Sequence, residues 1–286
     1  MRITRLAAAA AAVVAVLPAL TACGGSGTKA TVAKDCTPKY HVRTHSAGTL
    51  TVAAIQYPPY SKVTPGSNDV QGIDGAIVKQ FARDACLNMK VTTTTFAAAV
   101  SSVTTGRADI ALGDIYRTTA RAQEVGLSDP VYLDQLGIVS KQGFGSMQSL
   151  LGHKVATVQG YYFENDVKRL YGGNLHLFPS NVNMYQDLVA GRSQAGLDSY
   201  PAAVDYLRSR GITNLKVEIP PADPRVPATG AQAAQSGFLY GKGATQLATG
   251  LNQFLAAIRQ DGTLADLLQA AGLPRSAANV GPARLL

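Results

Sequence analysis

Charged side chains lie just after two predicted strands of this chain. The apolar run 110–112 predicts a strand, and Asp114 and Arg121 follow it, while a second apolar run, 195–197, is followed directly by Asp198. A guanidinium offers a rigid fork of N–H donors that fits a carboxylate, and a carboxylate can receive a cation. These residue types suit recognition of a small charged molecule. Each also has a structural alternative, a surface arginine for Arg121 and a helix N-cap for Asp198.

The sequence carries no signature of catalysis or of cofactor binding. It has no G-x-S-x-G, no P-loop and no H-E-x-x-H, and the pair Gly143 and Gly145 lacks the third glycine of a dinucleotide loop. The four histidines show no metal-ligand spacing. These observations favour a binding protein that uses no cofactor and no metal.

Charge and composition argue against a nucleic-acid-binding protein. The chain has 286 residues and a net charge of +8, with lysines and arginines scattered singly rather than clustered. It has no aromatic-flanked basic motif of the kind that binds nucleic acid. We expect a mildly basic surface beside an anionic membrane and no nucleic-acid partner.

The N-terminal segment is typical of an exported bacterial protein. A basic start precedes the apolar run 6–20, which is short for a membrane span, and the tetrapeptide LTAC ends at Cys23. This layout resembles a lipobox and predicts a lipoprotein signal peptide over 1–22, a lipid on Cys23 and a flexible tether over 23–47. The alternative is an ordinary cleaved signal with a chance cysteine. We expect the protein outside the cytoplasmic membrane, anchored to it by the lipid.

Two cysteines remain once Cys23 is assigned to the lipid. They are Cys36 and Cys86. Because disulfides persist in exported proteins, we expect a Cys36–Cys86 bridge that joins the entry segment to the first long helix. The alternative is a pair of buried free thiols.

From Leu50 onward, strand and helix patterns alternate and predict α/β architecture. Two βα series, with one returning strand near the end, predict two lobes joined by two crossing strands: 48–137 with 238–286, and 138–237. Ligands of such proteins bind in the cleft between the lobes. The end of the chain from Pro274 is expected to be frayed.

Five segments resemble the family-3 solute-binding proteins of polar amino-acid ABC transporters. The similarity extends over 48–272, and the segments are 57–60 (YPPY), 72–75 (GIDG), 106–121 (GRADIALGDIYRTTAR), 128–132 (SDPVY) and 190–198 (AGRSQAGLD). The resemblance implies a two-lobed fold like that of the type II periplasmic binding proteins, with a hinge of two crossing strands.

The resemblance also implies roles for individual residues. Arg121 matches the arginine that grips the α-carboxylate of the ligand, and Asp198 matches the acid that accepts the α-ammonium. Tyr57 and Phe96 match the rings that flank the ligand side chain. The full predicted set is Tyr57, Phe96, Gly113, Asp114, Tyr116, Thr118, Arg121, Gly160, Tyr161, Tyr162 and Asp198.

The sequence departs from the family where small hydroxyl side chains are usual. Asp114 and Tyr116 take two such positions, and Tyr161 and Tyr162 take two more in a strand-to-helix turn. The rings reshape the pocket, and Asp114 would favour a ligand with extra positive charge if it faces the ligand. It would have no such effect if it pairs locally with Arg117.

We therefore expect a monomeric substrate-binding lipoprotein that passes an amino acid, or a similar zwitterion, to an ABC permease in the membrane. One alternative is an enzyme, because some relatives turn this cleft into a dehydratase for prephenate-like acids, and Glu164 or Asp114 could serve as its proton donor. Another is a sensory module that binds a ligand without any transporter.

Overall fold

The computed structural model describes residues 35–229 and 233–286. The predicted signal peptide and the lipid site at Cys23 lie outside the described residues. Within those two ranges, no helix combines the length and the apolar character needed to cross a membrane.

The first sheet contains the strands before the middle of the chain and one strand that returns near its end. Its order is β4 (Asn88–Thr94), β1 (Thr49–Ile55), β5 (Ile110–Tyr116), β13 (Ala234–Tyr240) and β6 (Gly126–Leu127), and β7 (Leu133–Asp134) also pairs with β13. β1 is parallel to both neighbours, and β13 is antiparallel to β5. The accompanying helices are α1 (Gly72–Asp84), α2 (Phe96–Thr104), α3 (Thr119–Glu124), α7 (Thr245–Gln260) and α8 (Thr263–Ala270). β2 (Lys62–Val63) and β3 (Val70–Gln71) form a small antiparallel pair.

The second sheet contains the middle of the chain. Its order is β10 (Leu175–Phe178), β9 (Val155–Val158), β11 (Ala195–Ser199), β8 (Leu136–Ser140) and β12 (Lys216–Glu218). The helices of this part are α4 (Glu164–Tyr171), α5 (Asn181–Val189) and α6 (Tyr200–Ser209). The chain enters this sheet after β7 and leaves it before β13. These two α/β units confirm the predicted two-lobed architecture, while the exact lobe boundaries stay a prediction.

Local sequence explains why these elements form. The strands β1 and β5 are buried along nearly their whole length, as expected for strands of a covered sheet, and their sequences are correspondingly apolar. Ser or Thr caps several helices: Thr95 accepts from the third residue of α2, and Thr118 and Ser199 do the same for α3 and α6. The caps Thr118 and Ser199 stand beside two of the predicted site residues, Arg121 and Asp198.

Two predicted strand ends were wrong. β5 continues to Tyr116, beyond the predicted run 110–112, because the returning strand β13 pairs with its last residues. Asp198 lies inside β11, where it pairs with Gly137 of β8. α4 begins at Glu164, so Tyr161 and Tyr162 lie in the strand-to-helix turn before it, as the resemblance implied.

The predicted Cys36–Cys86 disulfide is confirmed. The two Cα atoms lie 5.9 Å apart, and the bond closes a loop across 50 positions of the chain. It joins the segment that precedes β1 to the end of α1, where the Lys39 N–H also donates to the Asp84 carbonyl.

The prediction of a frayed C-terminus was wrong. A 3₁₀ turn spans Arg275–Ala278, and the last residues are bonded to the first lobe. The side-chain amide of buried Gln235 donates to the carbonyls of Val280 and Pro282, and the Leu286 N–H donates to the Arg117 carbonyl. Buried donors need partners, and the tail carbonyls supply them.

Candidate ligand-binding site

A cavity of about 290 Å³, its mouth included, lies among residues of both lobes. Aromatic rings make up most of the wall, together with one acid, one arginine and one serine. The lining residues are Tyr57, Phe96, Asp114, Tyr116, Arg121, Tyr161, Tyr162, Phe163 and Ser199.

Ends of elements position these side chains. Tyr57 follows β1, Phe96 opens α2, and Asp114 and Tyr116 stand on the last residues of β5. From the other lobe come the turn 161–163, between β9 and α4, and Ser199 at the end of β11. The cavity therefore lies where strands of both sheets end, which is the usual place for a ligand in α/β folds.

The rings of the two lobes touch across the cavity. Phe96 and Tyr161 meet edge to face with centroids 4.7 Å apart, and Tyr57 meets Tyr161 in the same manner at 6.1 Å. Edge-to-face contacts of this kind are attractive because a ring's positive edge faces a negative face. The lobes are thus already in contact around the cavity.

Arg121 is held at the cavity wall by two backbone carbonyls. One terminal nitrogen of its guanidinium donates to the Tyr116 carbonyl at 2.6 Å, and the other donates to the Gly160 carbonyl at 3.3 Å. Burial lowers its pKa to about 10, against the opposing effect of the Asp114 charge, so it stays protonated at neutral pH. Two of its five N–H groups are used in these bonds, and the fork is oriented by them.

Asp198 is placed differently from the prediction. It is fully buried behind the wall, and Tyr57, Tyr161 and Tyr185 donate their hydroxyls to it at 2.5, 2.6 and 2.7 Å. The Ser199 N–H donates to it as well. Burial raises its pKa and the phenol donors oppose that rise. The expected ammonium subsite is therefore already filled by phenols of the protein.

Two further buried carboxylates accept hydrogen bonds from protein donors on both of their oxygens. Asp134 accepts from the hydroxyls of Tyr60, Tyr116 and Ser199. Asp74 accepts the Tyr132 hydroxyl at 2.9 Å and the N–H groups of Gly113 and Asp114 at 3.0 Å each. Burial raises the Asp74 pKa to about 6.

Asp114 is the exception among the carboxylates around the cavity. It is 3% exposed and lines the wall, and its Oδ1 has no hydrogen-bond partner in the described part of the chain. Its φ of 54° lies in the left-handed region, which Asp tolerates better than most residues. Burial, then the charges of Asp134 and Asp74, raise its pKa well above the ordinary value.

The local pairing of Asp114 with Arg117 does not occur. The Arg117 guanidinium donates to the Ser128 carbonyl, to Gln235 Oε1 and to the Arg284 carbonyl. The Arg117 guanidinium is thus bound by groups other than Asp114, one of them in the C-terminal tail. Asp114 itself lies on the cavity wall, where it can face a ligand.

The family model for bacterial extracellular solute-binding proteins, family 3, matches residues 50–271. The chain belongs to this family. Members of this family are extracellular binding proteins. This chain is therefore an extracellular solute-binding protein and not an enzyme. That assignment confirms the resemblance from which the site residues were predicted.

Individual relatives of this solute-binding protein are distant. It is 23% identical over 223 residues to the L-cystine-binding protein TcyJ of Escherichia coli K12, covering 76% of this chain and 80% of that one. It is 25% identical over 226 residues to the lysine/arginine/ornithine-binding periplasmic protein of the same organism, covering 72% and 80%. A solved Streptococcus pneumoniae amino-acid ABC transporter substrate-binding protein, AbpA, bound to L-arginine, superposes with a TM-score of 0.69 at 22% identity, covering 82% and 97%.

Three other residues predicted for the candidate site, Gly113, Thr118 and Gly160, act on the groups around the cavity. A Cβ on Gly160 would lie 2.4 Å from the Ala97 nitrogen, so glycine permits the two lobes to approach there. Gly113 likewise passes close to Ile55. Thr118 caps α3 by accepting from the Arg121 N–H at 3.1 Å, which fixes the start of the helix that carries the guanidinium. None of these three residues lines the cavity.

Sequence reasoning missed Phe163 and Ser199 on the wall and the tyrosine partners behind it. Ser199 could have been found, since it follows Asp198 and precedes a helix that begins with Tyr200-Pro201. The set of phenols has a weaker signal, twelve tyrosines in a chain without tryptophan. Glu164, considered as a proton donor, binds the Gly160 N–H and Lys168 instead.

Proposed function

We propose that this solute-binding protein captures an amino acid, or a similar small zwitterion, in the cavity between its lobes and passes it to an ABC importer. The observation that carries the proposal is Arg121, a charged fork whose two carbonyl contacts orient it at the cavity wall. A guanidinium in this setting fits a carboxylate of the ligand bidentately.

The rest of the wall supports the same ligand class. Rings from both lobes line the cavity and can cover the apolar stem of a small ligand. The names of the relatives point the same way, since TcyJ is a cystine-binding protein and another relative binds lysine, arginine and ornithine.

The partners follow from this role. The permease and the ATPase would be separate chains, and the protein would act as a monomer tethered to the membrane by a lipid on Cys23. Within residues 35–229 and 233–286, no three histidine, cysteine, aspartate or glutamate side chains are arranged to hold a metal ion.

A ligand screen tests the proposal. Thermal shift followed by calorimetry would use L-arginine, L-lysine, L-glutamine, L-cystine and L-glutamate, because a ligand that binds only the folded state raises its melting temperature. Arg121→Ala should weaken the best ligand about thirty-fold or more, since truncating one partner of a buried charge pair typically costs 2–5 kcal/mol.

Two variants sharpen that result. Arg121→Lys keeps the charge without the fork and should still bind clearly more weakly than the wild type. Arg83, an exposed arginine at the end of α1, provides the matched control, and Arg83→Ala should bind normally. Absence of any response to amino acids, or normal binding by Arg121→Ala, would refute the proposal.

A further inference from the structure

The buried carboxylates around the cavity fall into two groups. All six oxygens of Asp74, Asp134 and Asp198 accept hydrogen bonds from protein donors. Asp114 differs because its Oδ1 is buried, without a partner among the described residues, and belongs to a side chain that lines the cavity. A buried acceptor without a donor is costly, so such a group marks a place where a donor is missing.

The cavity side can supply the donor that Asp114 Oδ1 lacks, because the side chain lines the cavity. The backbone N–H of Asp114 is bound to Asp74, and the Ser236 hydroxyl and the Asp134 carboxyl, which also reach the Asp114 side chain, still leave Oδ1 without a partner among the described residues. Arg121, on the same wall, is drawn to the carbonyls of Tyr116 and Gly160. A ligand group with N–H bonds would fill the position.

We propose that Asp114, and not Asp198, receives the cationic N–H group of the ligand. The inference rests on the proposed function, since it locates a second contact within the same site. The chemistry is an ammonium or guanidinium, which supplies both the hydrogen and the opposite charge that a buried carboxylate needs.

Asp198 is a poor receptor for that group. Asp198 does not line the cavity, and a cation would have to move Tyr57 or Tyr161, which line it and donate to Asp198 Oδ1 at 2.5 and 2.6 Å. The displaced phenol would then be left buried without an acceptor, with a free-energy cost similar to the gain from the new bond. Asp114 requires no such displacement.

The charges behind the wall favour a cation at Asp114. Asp74 and Asp134 are buried close enough to Asp114 for their charges to act on it, and Asp198 is buried behind the wall, while Arg121 is the one arginine or lysine among the lining residues. In a poorly solvated cavity these charges are little screened by salt. A second carboxylate on the ligand, as in L-glutamate, would face acids on one side and should bind worst.

The cation has two possible sources, the α-ammonium or a charged side chain, and matched probes separate them. Calorimetry would compare L-arginine with L-citrulline, which lacks the guanidinium charge, and with 5-guanidinopentanoate, which lacks the α-ammonium. The variant is Asp114→Asn, which keeps the shape and tolerates a left-handed φ, so the backbone bond to Asp74 is preserved.

The expected result is a loss of discrimination. The wild type should prefer L-arginine about thirty-fold over one of the two analogues, and Asp114→Asn should reduce that ratio to about threefold or less. Loss of the preference over citrulline assigns the side-chain cation, and loss of the preference over 5-guanidinopentanoate assigns the α-ammonium. Unchanged ratios in Asp114→Asn overturn the proposal.

Two further variants control the comparison. Asp187→Asn alters another buried carboxylate with one unpartnered oxygen, which is paired with Arg192 and does not line the cavity, and it should leave both ratios unchanged. Asp198→Asn should lower stability but preserve discrimination. Discrimination lost only in Asp198→Asn would overturn the proposal, and if that variant does not fold, Asp114→Asn decides alone.

Failure of the proposed function gives a different pattern. If the wild type binds none of the amino acids, agmatine, a cation without a carboxylate, tests Asp114 by itself. A rise in melting temperature in the wild type that Asp114→Asn lacks would sustain the cation site. An equal rise in both proteins, or none in either, would overturn it.

Discussion

The tyrosines around Asp198 make a quantitative prediction about stability and about contact between the lobes. Tyr185, on α5, and Asp198, on β11, belong to the same lobe, whereas Tyr57 follows β1 of the other lobe. Both phenols are buried, with 2% and 0% of their surfaces exposed. Tyr57→Phe and Tyr185→Phe therefore remove equivalent bonds, one between lobes and one within a lobe.

The magnitude follows from the type of bond. A hydrogen bond to a charged group contributes about 1.5–3 kcal/mol, and each variant leaves the ring in place while removing the donor. We expect each to lower the free energy of unfolding by about 2 kcal/mol and, in a chain of this size, the melting temperature by about 4–8 °C. Tyr57→Phe also removes the acceptor for the Ser199 N–H, at 3.2 Å.

The two variants should differ in the contact between lobes. Tyr57→Phe removes one of the direct hydrogen bonds between the lobes, so ligand-free protein should become more open, which small-angle X-ray scattering detects as a larger radius of gyration. Tyr185→Phe should lose similar stability with the radius unchanged. Equal radii in both variants, or losses of stability below about 0.5 kcal/mol, would contradict the role given to these phenols.

Further predictions concern parts of the molecule outside the cavity wall. Replacing both Cys36 and Cys86 by Ser should cost about 4 kcal/mol, because the bond closes a loop of 50 residues, and urea unfolding measures the loss. The Asp74 pKa is raised from 3.8 to about 6, so the unfolded chain loses this proton first as pH rises. Its contribution to stability is complete below about pH 4 and is lost as pH rises through 6. The loss amounts to about 3 kcal/mol, and Asp74→Asn should flatten that slope in pH-dependent denaturation. Deleting residues 279–286 removes acceptors for Gln235 and Arg117 and should lower the melting temperature by several degrees, whereas a tail that is unimportant would leave it unchanged.

Local pattern was sufficient to predict much of the fold. The alternation of apolar β-branched runs and helical periodicity depends on nearby residues, and so do caps such as Thr118. The cysteine pairing could be predicted as well, since export and a count of three cysteines leave few choices. These features need no knowledge of distant contacts.

The environment of Asp198 could not be predicted in the same way. Its partner Tyr57 lies 141 positions away, and no periodicity connects the two residues. The end of β5 was misplaced for the same reason, because β13, which extends the strand to Tyr116, is more than a hundred residues further on. The C-terminal tail became ordered through long-range donors as well. In each of these three cases the polar groups concerned have partners far away in the chain.

The phenols at Asp198 satisfy its hydrogen-bonding capacity without cancelling its charge. A tyrosine hydroxyl donates one hydrogen bond and brings no positive charge. Burial raises the pKa of Tyr57 and Tyr161, so both phenols stay protonated and neutral. An α-ammonium bound to Asp198 would supply both the hydrogen bond and the positive charge. The phenols therefore leave the negative charge of Asp198 uncompensated, while neither of its oxygens lacks a donor. A cation drawn to the cavity by this charge must bind the nearest carboxylate oxygen that still lacks a donor, and in the described residues of the wall that oxygen belongs to Asp114.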